Sequence, residues 1–209
     1  MEILIWIIAI AFITHLLNLR FKFMKTVITK SLIMIFILGL SLWANIDKKF
    51  PLFGIFIMTA LIFSLAGDIF LVIDGEKYFL HGLLSFLIAH IFYIVAFLVF
   101  NSSIGIISVQ VIVAFIMFCL ASVIFYLFMF KKLEKKKLPI LIYIIIIAVM
   151  VSLSIRVSWL IFAAAFSFLV SDMELAVNKF YKPIPYKSIV NGIFYFPAQF
   201  IFALSIFLL

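Results

Sequence analysis

Charge is what this sequence has least of. Only 11% of its 209 residues are Asp, Glu, Lys or Arg, less than half the share usual in a water-soluble domain, and 69% are apolar. A chain so poor in charge cannot clothe a soluble fold, which excludes a cytosolic globular enzyme. A lone cysteine, Cys119, rules out an intrachain disulfide and a cysteine metal cluster. Proline is scarce too, and Pro51, Pro139, Pro183 and Pro185 fall where apolar runs end and a missing N–H is tolerated. Pro197 alone falls inside a run, where it should bend or loosen the helix and leave backbone groups needing partners. Among the charges acid is the scarcer, 8 residues against 16 basic ones for a net charge of +8. In so apolar a chain that excess follows from membrane topology and anionic lipid headgroups, and no nucleic acid partner is expected.

What is present is a succession of long apolar runs: Ile3–Leu19, Val27–Asn45, Phe53–Ile73, Tyr78–Phe100, Ile104–Phe130, Leu138–Leu153, Val157–Val177 and Ile189–Leu209. Each approaches the roughly 20 residues a spanning helix needs. The expected fold is all-α, a polytopic bundle of eight transmembrane helices forming a single domain over residues 1–209, with a tight turn near Ser154-Ile-Arg156. Glu2 rather than basic residues precedes the first run and no small-residue cleavage site follows it, so it reads as a retained span. Basic residues crowd the odd-numbered loops: Arg20, Lys22, Lys25 and Lys30; Lys77; Lys131, Lys132, Lys135, Lys136 and Lys137; Lys179, Lys182 and Lys187. The even-numbered loops hold Lys48, Lys49 and Arg156. The positive-inside rule puts the odd loops in the cytoplasm and both termini outside, in the inner membrane of a bacterium.

Against this background two carboxylates stand out, Asp68 in the third run and Asp172 in the seventh. An ionisable side chain within a span costs roughly 2.5–3.5 kcal/mol on insertion scales, so it faces the protein interior and asks for a reason. Both runs travel inward, and each aspartate falls about 7 Å from the inner end at 1.5 Å per residue. Lys30, His90, Tyr195 and Gln199 also fall in the inner half, which describes a cavity open toward the cytoplasmic leaflet. Leu-Ala-Gly67-Asp68-Ile-Phe-Leu71 matches Leu-Val-Ser171-Asp172-Met-Glu-Leu175 in outline. Two parallel four-helix halves produce such a pattern.

Each of these residues has a functional and a structural reading. Asp68 and Asp172 can be a carboxylate pair divided into acid and base, or structural partners for Lys30 and His90. His90 can shuttle protons, bind metal or simply bond a neighbour. A metal site wants three or more convergent ligands, and His15 and His81 are expected to lie near other ends, so none is expected. Ser171 beside Asp172 suggests a serine hydrolase, but adjacent helical residues point about 100° apart and no nucleophile elbow surrounds it. Lys30, with Asn178, Lys179 and Lys182 at the end of the seventh run, could receive a phosphate headgroup or merely snorkel.

The motifs Gly67-Asp68-x-x-Leu71, Phe79-x-x-Gly82-x-x-Ser85-Phe86-x-x-x-His90-x-x-Tyr93, Phe168-x-x-Ser171-Asp172-x-x-Leu175-Ala176-x-Asn178-x-Phe180 and Tyr195-x-x-Ala198-Gln199 resemble those of the YhhN-like family of eight-helix membrane proteins. Characterised members of that family are lysoplasmalogenases. The resemblance implies hydrolysis of the vinyl ether bond of a single-chain lysophospholipid to a fatty aldehyde and glycerophospho-ethanolamine or glycerophosphocholine. It implies that Asp68 and Asp172 form the catalytic pair and that Lys30, His90, Tyr195 and Gln199 line the pocket, with Ser171 and Asn178 in support. Lys30-Ser31 departs from the family's Lys-Pro at the start of the second run. Vinyl ether cleavage asks for one neutral acid and one anion and requires no cofactor. The rival reading is a proton-coupled small transporter or lipid flippase using the same aspartates.

Overall fold

The computed structural model describes residues 2–73, 77–100, 108–133 and 136–209. Among them the chain forms eight α-helices and no strand: α1 (Glu2–Phe21), α2 (Thr26–Asp47), α3 (Leu52–Ile73), α4 (Phe79–Val99), α5 (Val109–Met129), α6 (Lys137–Ser154), α7 (Trp159–Phe180) and α8 (Lys187–Leu208). All eight are long and apolar enough to cross a membrane, so the chain is an all-α integral membrane protein. The expected spans are recovered within a few residues. The first residues of the fifth, 104–107, and Lys135 lie outside the described residues.

One boundary moves for a readable reason. Helix α7 starts at Trp159 rather than Val157, because the Ser158 hydroxyl accepts the Ile161 N–H at 3.2 Å and caps the helix. The turn before it accordingly falls at 155–158. Helix α8 runs unbroken through Pro197. One residue beyond the carbonyl of Ile193, which Pro197 leaves without its helical donor, the Phe194 carbonyl accepts the Ser167 hydroxyl of α7 at 2.8 Å.

The helices pack in a repeating order. Each neighbour in the first half touches the next, α1 on α2, α2 on α3 and α3 on α4, and α5 to α8 repeat the sequence. The halves then interlock: α2 packs against α8 of the second half, and α6 packs against α4 of the first. One seat breaks the correspondence. Helix α1 leans on α8, whereas its counterpart α5 lies along α6 with no comparable seat on α4. That leaves a gap on one side of the bundle.

Lipid tails are as apolar as the core, so close packing rather than water exclusion holds such helices together. Helices α3 and α4 meet through Gly67 and Gly82. A Cβ on Gly67 would stand 2.7 Å from the Phe86 ring, and one on Gly82 would stand 2.8 Å from Leu71 Cδ2. Phe86 is buried edge-on against Phe168 and Tyr195, so it has little room to yield. Gly67→Ala is therefore expected to cost about 1–3 kcal/mol. Thermal unfolding in detergent measures this, and an unchanged midpoint would contradict it.

Candidate active site

Asp68 lies on the inward face of α3 and is 1% exposed. Lys30, one turn into α2, brings its ammonium to 2.7 Å from Asp68 Oδ1. The Tyr195 hydroxyl of α8 donates to Oδ2 at 2.8 Å. Both carboxylate oxygens are thus occupied, and the Lys30 ammonium stands 5.3 Å from the centre of the Tyr195 ring as well. Further along α8, Gln199 Oε1 accepts the hydroxyl proton of Tyr93, closing the floor of the site between α4 and α8.

Asp172 on α7 is held in a parallel way. The Tyr143 hydroxyl of α6 donates to Asp172 Oδ2 at 2.6 Å, and His90 Nε2 of α4 stands 3.5 Å from the same oxygen. His90 is wholly buried, with its ring packed edge-on to Tyr143 and tilted against Phe168. Each aspartate, on the third helix of its half, is braced by the second helix of that half and by the fourth helix of the other. Lys30 and Tyr195 brace the first; Tyr143 and His90 brace the second. Lys30 of the first cluster and Asp172 of the second line one cavity, so the two aspartates belong to one unit.

A cavity of about 600 Å³ reaches this unit, within the range of small-molecule sites. Asp172, Lys30 and Asn178 line it, while Asp68, His90, Tyr195 and Gln199 stand behind its wall. The cavity bends around the end of α7. From Asp172 it extends about 100° to one side, past Met173, and about 160° to the other, past Asn178 to Glu174, at 3.6 residues per turn. The Met173 arm is apolar, walled by Phe118, Ala121, Phe125, Ile147 and Leu169. The Glu174 arm is polar, with His15, Lys30, Lys187, Ser188 and Asn191.

The apolar arm occupies the gap left by the missing α5 seat. Phe118 meets Phe162 and Phe166 of α7, both with ring centres 6.1 Å apart, and Phe128 meets Tyr181 at 4.7 Å. Between these two clasps lie Ala121 and Ser122. Ala121 and Met173 are exposed and also line the cavity, so it opens sideways between α5 and α7.

Several residues take places that differ from expectation. His15 does not lie apart from the site: it is buried, its Nδ1 is 2.8 Å from Thr29 Oγ1, and it lines the same cavity as Lys30. The short turn between α1 and α2 folds the end of α1 back against Lys30's helix. Ser171 faces away from His90, and its hydroxyl accepts from Asn191 Nδ2 at 2.7 Å, so no serine–histidine pair forms. Asn178 lines the cavity and also accepts the Ile184 N–H at 3.2 Å, fixing the turn after α7. No group of three or more His, Cys, Asp or Glu placed to hold a metal occurs among the described residues. Tyr143 and Glu174 were not singled out in the sequence.

Eight membrane-spanning helices around a braced pair of carboxylates and a lipid-sized, two-armed cavity define a polytopic membrane protein with an intramembrane polar site. Residues 22–206 match the YhhN family, and the chain belongs to it. The chain is 30% identical over 165 residues to lysoplasmalogenase TMEM86A of Homo sapiens, covering 71% of this chain and 64% of that protein. It is 30% identical over 161 residues to lysoplasmalogenase TMEM86A of Bos taurus, with the same coverage. The match thus spans about 64% of the length of these relatives. No solved structure matches the chain.

Proposed function

We propose that this protein is an intramembrane hydrolase that cleaves the vinyl ether bond of lysoplasmalogens. The observation that carries the reading is Asp172, an acid whose Oδ2 is held by Tyr143 while the residue itself lines a cavity with one apolar and one polar arm. Names borne by the relatives agree with it.

In this reading the alkenyl chain lies in the apolar arm and the vinyl ether sits beside Asp172. With Oδ2 occupied, Oδ1 carries the proton and delivers it to the alkene carbon remote from the ether oxygen. The alkene's electron pair forms the new C–H bond and an oxocarbenium ion results. The Asp172 carboxylate now faces that cation and stabilises it, much as a carboxylate does in glycoside hydrolysis. Water adds to the cationic carbon and returns a proton to Asp172. Collapse of the hemiacetal breaks the remaining C–O bond, its hydroxyl proton passing to the departing glycerol oxygen. The products are a fatty aldehyde and a glycerophospho-alcohol, and the acid is restored.

Asp68 acts one step removed as a positioning residue. It fixes the Lys30 ammonium at the wall of the cavity that Asp172 also lines, which sets a positive charge in the site. The same reading sets the polar arm toward the cytoplasmic leaflet and both termini outside, in a bacterial inner membrane. Its support is the crowding of Lys22, Lys25, Lys77, Lys131, Lys132, Lys136 and Lys182 in the turns at that end, against Lys48, Lys49 and Arg156 at the other.

The test is release of fatty aldehyde and glycerophosphoethanolamine in equal amounts from lysoplasmenyl-ethanolamine by purified protein in detergent. No aldehyde from any vinyl ether lysolipid would overturn the reading. A second test addresses the apolar arm. Ala121→Trp is expected to raise KM roughly tenfold for a long alkenyl chain, by filling space worth about 0.8 kcal/mol per excluded methylene, and to spare a short-chain substrate. Equal effects on both chain lengths would move the alkenyl chain elsewhere.

A further inference from the structure

We infer that Glu174 is the headgroup-reading residue of this site and selects a primary ammonium, so that the protein prefers ethanolamine over choline lysoplasmalogens. The inference rests on the proposed hydrolase reading and extends it to the polar arm of the cavity.

Glu174 is 7% exposed, lines the cavity and has no hydrogen-bond partner on either carboxylate oxygen. Acidic side chains that far from water are almost always paired, and a buried one with both oxygens idle is costly. Every other buried carboxylate described here is engaged: Asp68 by Lys30 and Tyr195, Asp172 by Tyr143. Lys187, Lys30 and the Asn191 amide all lie near enough to act on Glu174, and that amide makes its direct bond to the Ser171 hydroxyl. A buried carboxylate with no bonded donor, on a residue that lines a cavity, is an acceptor that a ligand's N–H groups can satisfy.

Position identifies the donor. On α7, Glu174 follows Asp172 by two residues, about 3 Å deeper toward the basic end and on the far side of the helix from the apolar arm. A lysolipid with its vinyl ether at Asp172 and its chain toward Phe118 points its headgroup into the polar arm. There Lys187 offers its ammonium to the phosphate, and Glu174 receives the amine. A primary ammonium brings three N–H donors to the two idle oxygens, whereas a trimethylammonium brings none. Choline recognition relies on a cage of aromatic faces instead, whereas the polar arm offers a carboxylate, lysines and amides with only the His15 and Phe196 rings beside them.

The experiment compares wild type with Glu174→Gln on vinyl ether lysolipids bearing phosphoethanolamine, phosphocholine or phosphate alone. In parallel, binding of the uncleavable alkyl ether analogues is read from thermal shifts. A charge-assisted hydrogen bond of ordinary strength predicts that wild type favours ethanolamine roughly tenfold in kcat/KM and in affinity. Glu174→Gln should erase that preference through KM and be rescued by Glu174→Asp in part. A wild type indifferent to headgroup, or a variant that loses all three substrates equally, overturns the inference. The binding arm needs no turnover. Ethanolamine preference in binding without aldehyde release would sink the hydrolase reading while supporting Glu174's role; aldehyde release without headgroup preference would do the reverse.

Discussion

Asp172→Asn is expected to cut aldehyde release by roughly 10²–10⁴-fold, the usual contribution of a positioned acid or base, while leaving the fold intact. Asparagine is nearly isosteric with aspartate, and its carbonyl oxygen can still accept the Tyr143 hydroxyl that now donates to Oδ2 at 2.6 Å. The amide, however, has no proton to give an alkene carbon and no negative charge to face an oxocarbenium ion. Both halves of the reaction fail together, so kcat should fall and substrate binding should change little. The unfolding midpoint in detergent should stay within a few degrees of wild type. Undiminished turnover would remove Asp172 from the chemistry and, with it, the mechanism.

Asp68→Asn should behave differently, lowering stability and turnover at once. Asp68 is 1% exposed and its partner's side chain is 13% exposed, so the substitution strands the Lys30 ammonium at a nearly dry cavity wall. Breaking a buried pair from one side costs about 3–5 kcal/mol, chiefly from the charge left behind. Partial access of Lys30 to the cavity places the expected value at the lower end. Joint replacement, Lys30→Met with Asp68→Leu, removes both charges and should recover most of the midpoint without recovering activity. That contrast separates stability from catalysis. If Asp68→Asn keeps both its midpoint and its turnover, the ion pair is dispensable and the positioning role is wrong.

Much of this architecture was readable from residue order, because membrane spans announce themselves by length and because a carboxylate in an apolar run has few explanations. Asp68 meets Lys30 and Tyr195, and Asp172 meets His90. Helix count and depth were enough to suggest it, since each is fixed by rise per residue alone. What depth cannot supply is rotation about each helix axis, which decides that Asp172 lines the cavity and Asp68 does not. Tyr143 escaped notice because tyrosine reads as apolar in a run of isoleucines; its hydroxyl, six residues or about 9 Å into α6, was the available signal. His15 was set aside on linear position, although the α1–α2 turn brings it beside Thr29. Glu174 lies one to two turns from the end of α7, where a carboxylate has ready access to the interface and gives no signal of its own. Its burial comes from α8 folding over it, a tertiary event with no local signature.

The crossed bracing of the aspartates has a consequence for how the chain is made. Helices enter the bilayer in the order of synthesis. Lys30 on α2 is therefore already in place when Asp68 arrives on α3, and His90 and Tyr143 both precede Asp172 on α7. Neither acid is threaded into lipid before a partner awaits it, which lowers the insertion cost that a lone aspartate would carry. Tyr195 comes last, on α8, and seals Asp68 from the other half. A ribosome stalled before α8 would leave a nascent protein with its second acid braced and its first still open.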